Sequence, residues 1–207
     1  MRDPDIDAFF EWFAANAAAL AHASQDPGLV AILNERLDFV NPKFAWEIGP
    51  GSKAEWSFAL SPDGDESLSE GVRHAISRAP EIPGWEFHAF RQPRDAPPVV
   101  DLDTPRGDVE INANDAEYVL LRARDGTFDM VVALPAAKQL RSEEQCALAV
   151  LLLDGLIGEE ARMCLIKNVE FVEALEPKYQ GRTTKIKHLR GHLDQQMKRE
   201  RGSRSTQ

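Results

Sequence analysis

Residues 44–60 read FAWEIGPGSKAEWSFAL, and large apolar side chains alternate with small or charged ones along both arms of this stretch. A period of two residues is typical of a half-buried antiparallel strand. The turn at Pro50-Gly51 joins the two arms into a predicted β-hairpin. A helix that opens with Ser67-x-x-Glu70, and a strand from Trp85 to Arg91, complete a hairpin–helix–strand unit.

A second stretch predicts the same order of elements. It runs from Glu117 through the Asp125-Gly126 turn to Leu134, then through a helix that opens with Ser142-x-x-Gln145, to a strand over residues 162–172. The sequence therefore predicts two repeats, at about residues 44–91 and 117–172. Two such repeats are expected to share one sheet and to leave a cleft or face near their junction.

The remaining segments complete the predicted architecture. Asp3-Pro4 and Asp26-Pro27 each indicate the start of an N-terminal helix, and the proline-rich segment 93–105 is expected to connect the repeats. We predict an α+β fold with a mainly antiparallel sheet from the two repeats, two N-terminal helices and a basic C-terminal helix. One domain is expected over residues 1–178, followed by a basic, partly helical tail over residues 179–207.

Length and composition favour a soluble, cytoplasmic protein. The chain has 207 residues, of which 43% are apolar, enough to form a core without disulfides or metals. No apolar run approaches the roughly 20 residues that span a bilayer, so we expect no membrane contact. Cys146 and Cys164 are interpreted as reduced thiols in the core.

The charged residues are distributed unevenly along the chain. Residues 182–207 hold eight Lys and Arg against Asp194 and Glu200, a net +6, so the total of −10 leaves −16 for the residues before them. An acidic body argues against nucleic-acid binding, except through the basic tail. It favours a non-enzymatic binding or interaction protein that uses its acidic surface to capture a basic protein partner. A homo-oligomer is left open.

A small cationic or amphipathic ligand is the alternative. Aromatic rings beside carboxylates suit such ligands, and the first repeat alternates tryptophans with acidic residues. The alternative hypothesis places the ligand in a groove between the repeats. The same tryptophans alternate onto the face that helices are expected to cover, so a role in the core is the competing interpretation. The candidate ligand-binding residues are Trp46, Glu47, Trp56, Trp85, Glu86, His88 and Glu159.

A hydrolase-like enzyme is the second alternative. Glu47, Glu86 and His88 are expected on the sheet face opposite the tryptophans, and a carboxylate–histidine set can perform acid–base chemistry. A solvated outer face of the sheet explains these residues equally well. His188 and His192 have the i, i+4 spacing of metal ligands but lack further ligands nearby. We therefore predict no catalytic residue, no metal and no cofactor.

Several short motifs resemble a group of uncharacterised bacterial proteins that share a domain of unknown function. The motifs lie between about residues 10 and 172: Trp12-Phe13, Glu47-Ile48-Gly49, Leu60-Ser61-Pro62-Asp63-Gly64, Ala79-Pro80, Gly84-Trp85-Glu86-Phe87-His88-Ala89-Phe90, Gly158-Glu159 and Ile166. The resemblance implies no activity and no catalytic residue. Within these motifs, Glu159 is the one acid that is expected to be exposed without a packing role.

Overall fold

The computed structural model describes residues 2–204, with side chains described up to Gln196. The chain forms two compact units, divided between Gln92 and Pro93. The fold is α+β, and antiparallel pairings outnumber parallel ones within the described residues, as predicted. In the part of the chain that the structure describes, the strands form three sheets instead of one shared sheet. The division falls beside the predicted connector, and a single domain over residues 1–178 stays a prediction.

The first unit, residues 1–92, consists of helices and a three-stranded sheet. Its elements in chain order are α1 (Asp3–Leu20), α2 (Pro27–Val40), β1 (Ala45–Pro50), β2 (Trp56–Ser61), α3 (Ser69–Ser77) and β3 (Trp85–Ala89). The sheet order is β1-β2-β3, with β1 antiparallel and β3 parallel to β2. Asp26 caps α2 as predicted, because its Oδ1 accepts the amides of Gly28 and Leu29.

Aromatic packing joins α1 to the sheet of the first unit. The ring of Phe13 lies 5.1 Å from that of Phe58 and 4.9 Å from that of Trp85, both edge to face. Phe9 and Phe10 contact the same sheet through Phe58 and Phe87. Alternation along the strands therefore sends the large rings to the helix side and leaves Glu47, Glu86 and His88 on the other side, as the sequence predicts.

The second unit, from Pro93 onward, contains a hairpin and a four-stranded sheet. Its elements are β4 (Val99–Leu102), β5 (Val109–Asn112), β6 (Glu117–Arg122), β7 (Phe128–Ala133), α4 (Ser142–Ile157), α5 (Glu159–Leu165), β8 (Ile166–Val172), β9 (Thr184–Lys185) and α6 (Leu189–Arg204). β4 pairs with β5, and the larger sheet has the order β8-β7-β6-β9. β6 is antiparallel and β8 parallel to β7.

The C-terminal segment belongs to the core of the second unit. Ile186 and Leu189 are fully buried and Leu193 is nearly so, in one cluster with Tyr118, Met130 and Leu148. The hydroxyl of Tyr118 lies 2.9 Å from Nδ1 of His192 on α6. The apolar stripe of this basic segment thus packs on the sheet; Met197, the last residue of the predicted stripe, lies beyond the described side chains.

Three local expectations were wrong. Segment 93–105 is more than a connector, since it contains β4. Cys146 and Cys164 are exposed, and Cys164 lies in α5, before the last strand of the predicted repeat. Both predicted capping boxes are displaced. α3 begins at Ser69, after a short 3-10 turn that is capped by Asp65. At α4 the side chain of Glu144 accepts the amide of Arg141, so this capping box begins one residue earlier than predicted.

Candidate functional site

The three tryptophans of the predicted ligand site lie on the helix-covered face of the first unit. Trp85 packs edge to face on Phe13, and the rings of Trp56 and Trp85 lie 6.3 Å apart. The indole Nε1–H of Trp46 donates to Oδ1 of Asn34 at 2.7 Å. All three side chains are half-buried. Trp46 and Trp85 pack against the core of this unit, whereas the ring of Trp56 contacts those of Trp85 and His22. Their role as ligand contacts stays a prediction.

Glu86 and His88 are brought together on the opposite face. Oε1 of Glu86 lies 3.1 Å from Nε2 of His88. The same carboxylate accepts the backbone amide of Ser52 at 2.6 Å and that of Lys53 at 2.9 Å. These bonds, above all the one from Ser52, lower the pKa of Glu86 to about 2. Glu86 is therefore held as a carboxylate that fixes the turn between β1 and β2.

Glu47 lies on the far edge of this sheet from His88. In the strand register, Glu47 is opposite Ala59 and Ala59 is opposite His88. Two strand spacings, roughly 10 Å, therefore separate the backbones of Glu47 and His88. The hydrolase alternative requires the side chains of Glu47, Glu86 and His88 to converge, and of these the pair Glu86–His88 is in contact.

Glu159 is fully buried, contrary to the expectation that it is exposed. It begins α5, directly after Gly158, whose φ of +84° is the left-handed conformation that glycine adopts easily. Its Oε1 lies 3.9 Å from the guanidinium of Arg162, which donates from Nε to Asp154 at 2.5 Å. Buried carboxylates beside a guanidinium indicate an ionic cluster that holds the α4–α5 junction.

The second unit contains an acidic cleft that the sequence analysis did not identify. It has a volume of about 600 Å³, and we call it the acidic cleft. It lies where the parallel strands β7 and β8 end, since Ala133 and Val172 are partners at that edge. Its charged lining residues are Asp115, Glu117, Glu173, Glu176 and Lys185.

Four carboxylates and one ammonium group give the acidic cleft a negative charge. Nζ of Lys185 donates to the carbonyl oxygen of Asp115 at 2.9 Å and lies 3.6 Å from Oε1 of Glu117. Glu176 pairs with Lys178 at 2.7 Å. Within the part of the chain that the structure describes, no ion pair engages the carboxylates of Asp115 or Glu173. These two groups are accordingly available to a cation from outside.

The histidines of the C-terminal segment are not brought together with further metal ligands. His188 is exposed, whereas His192 is half-buried and contacts Tyr118. Among the described residues, no group of three or more His, Cys, Asp or Glu side chains has the arrangement of a metal site. In the same residues, no helix is both long enough and apolar enough to cross a membrane.

Comparison with known proteins gives no relative from which a function could be transferred: no family model, curated protein or solved structure matches this chain. The resemblance described under Sequence analysis therefore remains an interpretation of short motifs.

Proposed function

We propose that this chain is a non-enzymatic binding protein that captures a basic protein partner, and that the acidic cleft is where it does so. The observation that carries the proposal is the lining of the cleft, in which Asp115, Glu117, Glu173 and Glu176 face one lysine, Lys185. A concave surface lined by one sign of charge attracts the opposite charge and accelerates association.

The contacts of Lys185 support a site for amino or guanidinium groups. Its ammonium group lies between the carbonyl oxygen of Asp115 and the carboxylate of Glu117. A lysine or arginine of a partner would find equivalent oxygen acceptors at Asp115 and Glu173. Charge-assisted hydrogen bonds of this kind are stronger than neutral ones, so they provide orientation as well as attraction.

The net negative charge of the chain favours a basic protein partner over nucleic acid. With a net charge of −10, the protein repels polyanions over long range. Nucleic acid is therefore a candidate only for the basic residues of the C-terminal segment. We place this function in the cytoplasm. A homo-oligomer is compatible with the proposal but is not required by it.

We further propose that the two units descend from a duplicated hairpin–helix–strand element. In support, β1-β2-β3 of the first unit and β6-β7-β8 of the second follow the same pattern. In each, an antiparallel hairpin is followed by helix and then by a strand parallel to the second hairpin strand. Under this proposal the acidic cleft is a specialisation of the second copy.

A small cationic ligand is the second candidate function. A volume of about 600 Å³ lies within the range of roughly 300 to 1,000 Å³ that small-molecule sites occupy. Such a ligand would use the carboxylates of the cleft in the same way as a basic side chain. It would differ from a protein partner in burying little of the surface outside the cleft.

A titration with short peptides separates these cases. Fluorescently labelled tetralysine and tetraglutamate peptides are titrated at about 50 mM and about 300 mM salt, between which the Debye length falls to well below 10 Å. The proposal predicts saturable binding of tetralysine that weakens as salt rises, and no binding of tetraglutamate. Absence of tetralysine binding at low salt would contradict it. Titration with spermidine, a small cation, under the same conditions tests the second candidate function, the binding of a small cationic ligand.

A further inference from the structure

Lys185 is the only basic residue among the described residues that line the acidic cleft. Its ammonium group donates to the carbonyl oxygen of Asp115 at 2.9 Å and lies 3.6 Å from Oε1 of Glu117. These oxygens are acceptors of the kind that the cationic group of a partner would use. An ammonium group of the chain itself therefore already occupies part of the cleft.

The backbone of Lys185 is held in place independently of its side chain. In the two-residue strand β9, Lys185 lies opposite Glu117 of β6. The next residue, Ile186, is fully buried, and its amide donates to the carbonyl oxygen of Ala116 at 2.9 Å. The side chain of Lys185 can consequently leave the cleft without disturbing the strand that carries it.

The ion pair that holds the ammonium group in the cleft is weak. The side chain of Lys185 is 42% exposed and that of Glu117 is 45% exposed. Ion pairs between exposed groups contribute little stability, because water screens them and both side chains lose freedom. A second cation that enters the cleft is repelled by the ammonium group of Lys185 and has to share the carboxylates with it or displace it.

We infer that Lys185 is an internal counter-ion of the acidic cleft, which competes with the cationic group of a partner and lowers the affinity of the cleft for it. The inference rests on the proposed function and adds how the same site is regulated. Neutralising Lys185 would remove a positive charge from the cleft and release the carboxylate of Glu117 for the partner. If Lys185 were instead a purely structural partner of Glu117, its loss would leave binding unchanged or weaken it.

The test is a titration of the full chain with the labelled tetralysine peptide at about 50 mM salt. Lys185→Met, which keeps an unbranched apolar stem and removes the charge, is expected to bind the peptide about fivefold or more tightly than the parent protein. The gain should shrink towards about 300 mM salt, because it is electrostatic. Lys185→Arg retains the positive charge and should give no gain. Lys185→Gln is a second neutral variant, and circular dichroism verifies that each variant is folded.

Lys167→Met is the matched control. Lys167 also forms an exposed ion pair, with Asp125 at 3.5 Å, but it lies at the start of β8, whereas the cleft lies at the end of that strand. This variant removes the same charge and is expected to bind within about twofold of the parent protein. An equal gain with Lys167→Met would mean that net charge alone sets the affinity, and would overturn the inference.

The remaining outcomes separate this inference from the proposed function. If the parent protein binds tetralysine and both neutral variants at Lys185 bind it equally or more weakly, the inference is overturned while the proposed function stands. If neither the parent protein nor the neutral variants bind tetralysine at low salt, the proposed function is contradicted and the inference fails with it.

Discussion

The amide of Ser52 donates to Oε1 of Glu86 at 2.6 Å, across thirty-four positions of the chain. With the amide of Lys53 on Oε2, this bond ties the tip of the β1–β2 hairpin to β3. β3, the last strand of the first unit, therefore also stabilises the turn between β1 and β2. A polar pair that the sequence suggested for acid–base chemistry thus has a structural task that explains the position of Glu86.

Replacing Glu86 by Gln is expected to destabilise the first unit by about 1 to 3 kcal/mol. The carboxamide oxygen still accepts one hydrogen bond, but the second carboxylate oxygen is replaced by an NH₂ group that faces a backbone amide. Urea unfolding monitored by tryptophan fluorescence measures the change, since Trp56 and Trp85 lie in this unit. Glu55→Gln, at an exposed acid in the same hairpin, serves as the control and should have little effect. Equal stability of Glu86→Gln and the parent protein would show that the turn is held by other contacts.

The same carboxylate predicts a dependence of stability on pH. Because the pKa of Glu86 is lowered to about 2 in the folded protein, its contribution is present above the ordinary value of 4.5 and is lost as pH falls towards 2. The difference in unfolding free energy between the parent and Glu86→Gln should therefore be constant above about pH 5 and shrink steadily towards pH 2.5. A difference that stays constant over this range would contradict the lowered pKa.

Gly51 is expected to tolerate no side chain in the same turn. A Cβ at this position would lie 2.5 Å from the carbonyl oxygen of Ala54, a backbone atom that cannot move away independently. Gly51→Ala should destabilise the first unit by about 1 to 3 kcal/mol. Gly49→Ala is the matched control, because a Cβ there meets nothing within 4 Å. If the two variants unfold at the same urea concentration, the turn adapts more readily than its geometry indicates.

Removing the C-terminal segment after residue 178 is expected to destabilise the second unit severely. Such a truncation deletes the fully buried Ile186 and Leu189 and the partner of the Tyr118 hydroxyl. Leu189→Ala is the milder test, with an expected loss of about 2 to 5 kcal/mol. Lys187→Ala, at an exposed position two residues earlier, should cost little. Thermal unfolding followed by circular dichroism checks both variants; an unchanged midpoint for Leu189→Ala would mean that this segment is not part of the core.

The fold class could be predicted because alternation is a local signal with a direct structural cause. The rings of Phe58 and Phe87 lie on the buried face, as the period of two requires. Helix starts were less certain where several capping residues compete. Asp65 precedes Ser67 by two residues and accepts its amide, so the chain first forms a short 3-10 turn and α3 begins later than the Ser67-x-x-Glu70 pattern indicates.

Burial was harder to predict from composition than from periodicity. α4 is apolar on nearly every side, which suggested that Cys146 is buried, yet part of the helix surface is exposed. Cys146 and Leu151 are exposed, while Leu148 and Leu152 are buried. Glu159 shows the opposite error. A charged residue in a tight connection is usually exposed, whereas Glu159 is fully buried and lies 3.9 Å from the guanidinium of Arg162.

The acidic cleft could not be predicted because its carboxylates come from distant parts of the chain. Asp115 and Glu117 precede Glu173 and Glu176 by more than fifty positions. The pairing of β6 with β7 and of β7 with β8 brings the ends of these strands together. Net charge alone indicated an acidic surface. It contained no information on which carboxylates converge.

The central claim is that the carboxylates of the acidic cleft bind a cationic group of a partner, and charge-neutral variants test it most directly. Asp115→Asn combined with Glu173→Gln removes the two carboxylates without an ion pair and keeps the shape of the cleft. Asp101→Asn combined with Glu110→Gln, at exposed acids on β4 and β5, removes the same charge elsewhere in the second unit. In a tetralysine titration at low salt, we expect the cleft variant to bind at least about tenfold more weakly than the parent, and the control variant to bind within about twofold. Equal weakening by the two variants would mean that net charge alone attracts the peptide, and would contradict the assignment of the cleft as the binding site.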